Sequence, residues 1–424
     1  MHSYTEVELP LGEGKIKINV PNLLSYDAPE HAEAVPDARA EVRRAILNPI
    51  GTPRLKDIAR EKKNAGIVVN DITRPYVGKE MILELAAELN EAGMKDEQIF
   101  LVVAYGSHRI NTHEELIKMF GEEVVKRFRF VHHKADQDDT LTIMGTTDGG
   151  VVVEINKEFA EADLKIITGC ITPHQSAGFS GGRKSILPGI AGFKTLKAHH
   201  SFPIRPDKTV YGWLEGNPFH EESLKAARIA GVDFIVNSVE NEDQELIYCV
   251  AGDLNDAYMN GVERCRKLWT IKIPKKPDVL IVSPGGYPRD FDLHQSQKAV
   301  GCAELICKEG GMIIMFAEMR DGTGKPGKVL KEANTPQEII DQFYKEGYNL
   351  SALSKSYMWA RAMKLFHISI IGSKVPNSEL KEMFFETYDT IEEAIKKAFE
   401  RYGENASFMV MPHASETIPD IAVT

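Results

Sequence analysis

Between residues 171 and 201, ITPHQSAGFSGGRKSILPGIAGFKTLKAHHS, the chain gathers three histidines (His174, His199, His200), the basic pair Arg183 and Lys184, and five glycines at positions 178, 181, 182, 189 and 192. Glycine lets a backbone take positive φ and approach a bound group closely, and N–H groups turned inward bind phosphate-like anions. An anion site is the first inference. Imidazole is the natural proton carrier at neutral pH, so the same stretch carries acid–base chemistry. Lys184 has three readings: phosphate clamp, covalent nucleophile or solvated charge. Arg183 beside it favours an unprotonated, nucleophilic amine.

Two familiar chemistries fit poorly. Gly178-Phe179-Ser180-Gly181-Gly182-Arg183-Lys184-Ser185 departs from the nucleotide-binding P-loop at one position, the glycine before the lysine, where Arg183 stands. The apolar run 164–167 is also separated from it by Pro173 and His174. A zinc site is disfavoured too, because neither an H-E-x-x-H nor a cysteine tetrad is present. His199 and His200 are adjacent, a spacing at which helical side chains diverge. One could be a ligand, but a lone imidazole holds a metal only if another molecule supplies the other donors.

The elements that must position these groups follow from apolar periodicity. Residues 5–20 alternate around Gly12-Glu13-Gly14 as a hairpin does. Helices are expected at 37–47, 53–63, 78–92 and 112–120, and strands at 67–69, 99–104, 128–131, 141–144, 151–154 and 164–167. Asp71 and Arg74, then His108, then His174 each follow one of these strands. If the strands are parallel neighbours, the three groups share one sheet edge, where open α/β sheets bind ligands. His132 and His133 read as ordinary strand-end residues. Beyond the glycine-rich stretch come a helix at 218–230, strands at 234–239 and 245–250, and a helix at 255–268; Pro274-Lys275-Lys276-Pro277 reads as a linker. A second αβ series runs through strands at 279–282, 312–316, 368–371 and 408–411, with helices at 295–308, 337–346, 357–366 and 391–402. The expected architecture is α/β in two domains, 1–272 and 273–424, each with a mostly parallel sheet flanked by helices and with the site in the cleft between them.

Composition narrows the class. At 424 residues the chain is long for one core, and its net charge of −11, with basic residues dispersed, gives no reason to expect nucleic acid or an anionic membrane as partner. Five cysteines without a C-x-x-C pair suit a reducing compartment. The first residues lack a signal-peptide pattern and no apolar run is long enough to span a bilayer. A cytoplasmic protein is the expectation.

Asp71-Ile72-Thr73-Arg74-Pro75, Gly106-Ser107-His108, Thr112-His113-Glu114-Glu115-Leu116, His174 with Ala177 to the Ser185 end of the glycine block, Leu187-Pro188-Gly189-Ile190, His200, and Gly285-Gly286-Tyr287-Pro288 followed by Gln295 and Lys298 occur in this order. The set resembles the nickel-dependent lactate racemase family. The resemblance implies an isomerase acting on a small 2-hydroxy acid through a nickel-pincer nucleotide, a pyridinium mononucleotide with two sulfur-bearing arms. It would be joined covalently to Lys184, embraced by Asp71, Ile72, Thr73 and Arg74, and capped at nickel by His200. Cofactor-building proteins would be partners, and protein made without them would be empty. His108 and His174 would be the two acid–base groups, one for each enantiomer, while hydride leaves and returns to Cα. Arg74, Gln295 and Lys298 would hold the substrate. His294 stands where the lactate-active prototype has tyrosine, and Trp359 reads as a helix core residue, so other 2-hydroxy acids remain open. The rival classes are a P-loop-like nucleotide-phosphate enzyme and a non-enzymatic nucleotide-binding member of the fold.

Overall fold

Short β-branched runs too apolar to face water on either side dictate two parallel sheets, and the computed structural model, which describes residues 3–74, 77–349 and 352–421, contains both. The strands in chain order are β1 Tyr4–Leu11, β2 Gly14–Pro21, β3 Leu23–Tyr26, β4 Ala65–Asn70, β5 Ile99–Ala104, β6 Arg129–His132, β7 Leu141–Thr146, β8 Val152–Asn156, β9 Leu164–Cys170, β10 Pro173–His174, β11 Gly178–Phe179, β12 Phe234–Glu240, β13 Leu246–Gly252, β14 Thr270–Ile273, β15 Val279–Val282, β16 Met312–Phe316, β17 His367–Ile371, β18 Phe408–Met411 and β19 Ile418–Ile421.

The first sheet has the order β13-β12-β9-β4-β5-β6, parallel except for the antiparallel β12–β13 pair. From β4 the chain steps outward through β5 and β6, then returns to place β9 on the other side of β4. That reversal opens a crevice at the carboxyl ends of β4 and β9, the usual ligand position in such sheets. The second sheet, β17-β16-β15-β18-β3, is wholly parallel and reverses in the same way between β15 and β18. Its helix Leu293–Ile306 carries His294, Gln295 and Lys298, and is capped by Asp292, whose side chain accepts from the Gln295 amide at 2.6 Å.

Several boundaries differ from the sequence expectation. The helix expected over 53–63 shrinks to Leu55–Ile58, and that expected over 112–120 runs on as His113–Arg127 across a kink at Gly121, φ 76°. More consequential is the start of the chain, expected within a 1–272 domain. Val7, Leu9, Ile18 and Val20 of the β1–β2 hairpin share a core with Val279, Ile281, Phe316 and Val410 of the second sheet, and β3 pairs with β18. Alternation shows that a hairpin has one apolar face, but not which sheet will cover it. The expected boundary near residue 272 falls inside β14, which pairs in parallel with β19.

Direct bonds tie the two sheets' layers together: Tyr348 Oη donates to Ser107 Oγ at 2.8 Å, Gln175 Nε2 to Gln297 Oε1 at 2.9 Å, and Tyr211 Oη to the Lys298 carbonyl at 2.7 Å. Among the described residues no helix is long and apolar enough to cross a membrane. Leu9→Ala is expected to cost about 2–4 kcal/mol in a denaturant melt, because Leu9 is fully buried against the second sheet rather than lying in a free-standing hairpin.

Candidate active site

The glycine-rich stretch is folded around Arg183. Its guanidinium, with no exposed surface, donates to the carbonyls of Ala177 at 2.8 Å, Phe179 at 2.9 Å and Gly181 at 3.2 Å, and also meets Tyr258 Oη. Loop carbonyls therefore point inward at a cation, the opposite of the inward amides of a P-loop. Ser185, the would-be metal hydroxyl of that motif, donates instead to the Thr168 carbonyl at 2.8 Å. Gly181 (φ 74°) and Gly182 (φ 51°) make the turn possible, since a Cβ on Gly182 would stand 2.7 Å from the Tyr258 ring. The result is that Lys184 is turned out of the loop into a cavity.

That cavity, about 170 Å³, lies in the crevice at the strand ends and is closed by the second domain. Asp71, Thr73, Arg74, His108, His174, Lys184, His200, Gln295 and Lys298 all line it, so nearly every residue singled out in the sequence converges here. Ile72 lines only the wider mouth, its amide facing Asn111 Oδ1 at 3.4 Å. Pro75, which ends that motif, lies outside the described residues. Trp359 is fully buried, donates to the Leu293 carbonyl at 3.2 Å and packs on Phe385, as a core residue does.

The two presumptive acid–base histidines are held differently. His108 Nδ1 donates to Asp71 Oδ2 at 2.7 Å, leaving Nε2 with a free lone pair. Burial alone would raise the Asp71 carboxyl, but His108, Arg74 and a 2.6 Å bond from Thr73 Oγ1 outweigh it and hold Asp71 below the usual carboxylate range. His174 sits in the two-residue ladder β10–β11, and the turn between them directs the amides of Ser176 and Ala177 at its Nδ1, 3.1 and 3.2 Å away. Nδ1 is thus an acceptor, and the proton of the neutral ring is on Nε2. Burial and the cations Lys184, Lys298 and Arg74 push His174 well below the ordinary imidazole range.

His199 and His200 do not diverge as expected: their Nδ1 atoms lie 3.3 Å apart, the rings meet edge-on at 5.0 Å and both pack on Phe219, although their Nε2 atoms serve different partners. His199 Nε2 is bound to the Phe219 carbonyl at 2.9 Å and is structural. His200 faces the cavity between the rings of Phe219 and Tyr348, at 4.9 and 5.1 Å, and its Nδ1 bonds the Leu196 carbonyl at 3.2 Å. Its Nε2 lone pair is left for a ligand, and burial, with His199 and Arg205 nearby, keeps the ring neutral. Lys184 is driven well below the usual lysine range by burial and by Arg74, Arg183 and Lys355, a shift that favours nucleophilic behaviour of the amine.

Matches to known proteins bear on this geometry. The sequence model of the lactate racemase N-terminal domain matches residues 11–211, and that of the lactate racemase C-terminal domain matches residues 273–418. The chain belongs to the lactate racemase family. A lactate racemase of Thermoanaerobacterium thermosaccharolyticum is 33% identical over 97% of this chain and 98% of its own. One from Lactiplantibacillus plantarum is 36% identical over 88% of each. The structure of the T. thermosaccharolyticum lactate racemase apoprotein superposes with a TM-score of 0.90, at 32% identity, over 98% of this chain and all (100%) of that one. A Thermotoga maritima protein, 20% identical with a TM-score of 0.67 over 92% of this chain and 100% of its own, shares the fold.

Lactate racemase motifs did not reveal every residue of the cavity. Lys355 and Arg205 line it with Arg74, Lys184 and Lys298, and Asp71 is the one acid among the lining residues. Lys355 is held down to about 7 by burial, with Arg205 opposing its charge, and Arg205 is lowered to about 10 by burial and Arg361. Neither stands in a motif: Arg205 lies in a turn, and Lys355 precedes the helix expected at 357–366, which in fact begins at Leu353, so each reads as an isolated solvated charge.

Gly182→Ala should destabilise the protein by about 1–3 kcal/mol, read from the midpoint of a thermal or urea melt. Lys355→Met should raise the melting temperature of the empty protein by roughly 2–4 °C near pH 7. Because the folded-state pKa lies below that of an exposed lysine, the unfolded chain holds the extra proton between about pH 7 and 10. The gain is therefore full below pH 7 and disappears as the pH rises toward 10.

Proposed function

We propose that the protein is a lactate racemase that works through a nickel-pincer nucleotide attached at Lys184. The observation that carries this reading is that the Lys184 amine and the free Nε2 of a neutral His200 open into one cavity, which His108 and His174 also line. A covalent anchor and a single metal donor side by side fit a group that brings its remaining ligands with it. When bound, that nucleotide supplies a reversible hydride acceptor, chemistry that no side chain offers.

The chain's own groups then orient and deprotonate. Lys298, whose Nζ donates to Gln295 Oε1 at 2.6 Å, and Arg74 present positive charge to the substrate carboxylate, with Gln295 fixed at the helix start to position it. His108, aligned by Asp71, takes the hydroxyl proton of one enantiomer at Nε2. His174 meets the oxygen of the other through Nε2–H, and becomes its base only when the ring proton moves to Nδ1 and leaves Nε2 bare. To accept a proton in its turn, His174 must release the amides of Ser176 and Ala177, so the two histidines do not work symmetrically at rest. Asp71 to Arg74 and the glycine block form the wall toward the nucleotide.

A cytoplasmic site of action is part of this reading, supported by five cysteines that are all buried and unpaired. So is partnership with proteins that build and attach the nucleotide. Protein from a cofactor-producing host is expected to show added mass at Lys184, bound nickel and D/L exchange of lactate. His108→Ala and His174→Ala should each lower exchange about 10²–10⁴-fold with nickel retained, while His200→Ala loses nickel. Normal racemisation by either of the first two variants would sink the proposal.

A further inference from the structure

Helix Leu353–Leu365 begins at the cavity, and Lys355, in its first turn, projects there beside Ser354. Three physical circumstances oppose a cation at this point. The positive end of the helix dipole repels it, its surroundings are largely withdrawn from water, and Arg205 and Arg74 are its charged neighbours. Among the described residues it forms no ion pair: Asp292 acts on it only at longer range. Its one hydrogen bond, 3.1 Å to Gln297 Oε1, goes to an oxygen that already accepts from Gln175 at 2.9 Å. An ammonium has three donors, and this one, part of the cavity lining, has two left without a partner among the described residues.

A group so poorly served in the empty protein makes sense only against an anion brought by a ligand. Its position says which part of the ligand. Lys355 stands on the wall built by the second domain with His294, Gln295 and Lys298, opposite the glycine block. Its charge is the largest one acting on His294, whose ring in turn meets the His108 ring edge-on at 6.0 Å. It also acts directly on Lys298. The chain of neighbours Lys355, His294, His108 therefore lies along the reacting side.

We infer that Lys355 is a substrate-positioning residue, which with Lys298 clamps the carboxylate of the 2-hydroxy acid and so sets how Cα is presented between His108 and His174. The two lysines come from different helices, Leu293–Ile306 and Leu353–Leu365, so the clamp fixes the carboxylate in two directions. The buried Gln297–Gln175 bridge connects Lys355 to the residue next to His174, which registers the clamp against one of the acid–base groups. The assignment rests on reading the cavity as a 2-hydroxy-acid site.

The test compares wild type, Lys355→Met and Lys355→Arg, each made in a cofactor-producing host and also as empty protein. In the loaded enzymes, Lys355→Met should raise KM for lactate at least about tenfold, the loss of one charged hydrogen bond, with a smaller effect on kcat, and Lys355→Arg should recover most of it. The added mass at Lys184 should be the same in all three. In the empty proteins, lactate or oxalate should raise the melting temperature of wild type and of Lys355→Arg but not of Lys355→Met. That reading stands apart from turnover, so a wild type that binds these acids without racemising them would count against the proposed function and not against the clamp. Unchanged KM and unchanged thermal shift in a folded Lys355→Met protein would overturn the clamp. So would loss of the Lys184 adduct in Lys355→Met with normal KM in the fraction still loaded, since Lys355 would then serve the nucleotide's phosphate.

Discussion

A guanidinium in the middle of a protein needs its donors matched, and the matching of the two Arg183 Nη groups, though not of its Nε, shapes the whole site. Carbonyls from four loop residues and the phenol of Tyr258 converge on it, with the Tyr258 ring at 4.6 Å adding a cation–π contact. The backbone between Ala177 and Gly181 can satisfy it only by curling inward, and Gly181 and Gly182 give the left-handed residues that the curl needs. Everything nearby inherits that geometry. Lys184 leaves the curl on its open side, and the amides just before it are aimed at His174. A glycine in place of Arg183 would free the same backbone to turn its amides outward toward a phosphate, which is the physical difference between this loop and a P-loop.

The second organising fact is a surplus of positive charge. Arg74, Lys184, Arg205, Lys298 and Lys355 face a cavity whose lining includes a single carboxylate. Burial first, and then their mutual field, keep His174, His200 and His294 neutral, so their ring nitrogens stay available as donors and lone pairs. Burial, and then the same field, lower Lys184 well below the usual lysine range. Among these histidines, His108 alone is bonded to a carboxylate, and that bond selects its tautomer. One electrostatic environment thus assigns several distinct roles. It does so at the expense of the empty protein's stability, as sites built to bind anions commonly do.

Much of this was legible in sequence. The runs at β4, β5 and β9 are short, β-branched and followed at once by Asp71, His108 and His174, and parallel pairing of such strands places their carboxyl ends side by side. The expected divergence of His199 and His200 was not found: both rings pack on Phe219 and so touch each other. The ordered set of motifs around Lys184 and His200 carried the family resemblance. Less visible was the destination of the first residues. The β1–β2 hairpin and β3 complete the second sheet's core across more than two hundred residues of intervening chain, and local alternation contains no information about so distant a partner.

By itself the sequence determined the α/β class, the strand ends that present reactive groups, and the place of the glycine block, because these depend on periodicity and residue type over short spans. Only the tertiary structure decided the environment of each charge. That Arg183 is a buried pin, that His174 carries its proton on Nε2, and that Lys355 turns into the cavity instead of toward water all follow from which carbonyls, amides and cations meet in space. Hydrogen bonding and desolvation act between groups brought together by folding, so neither can be read from the order of residues alone.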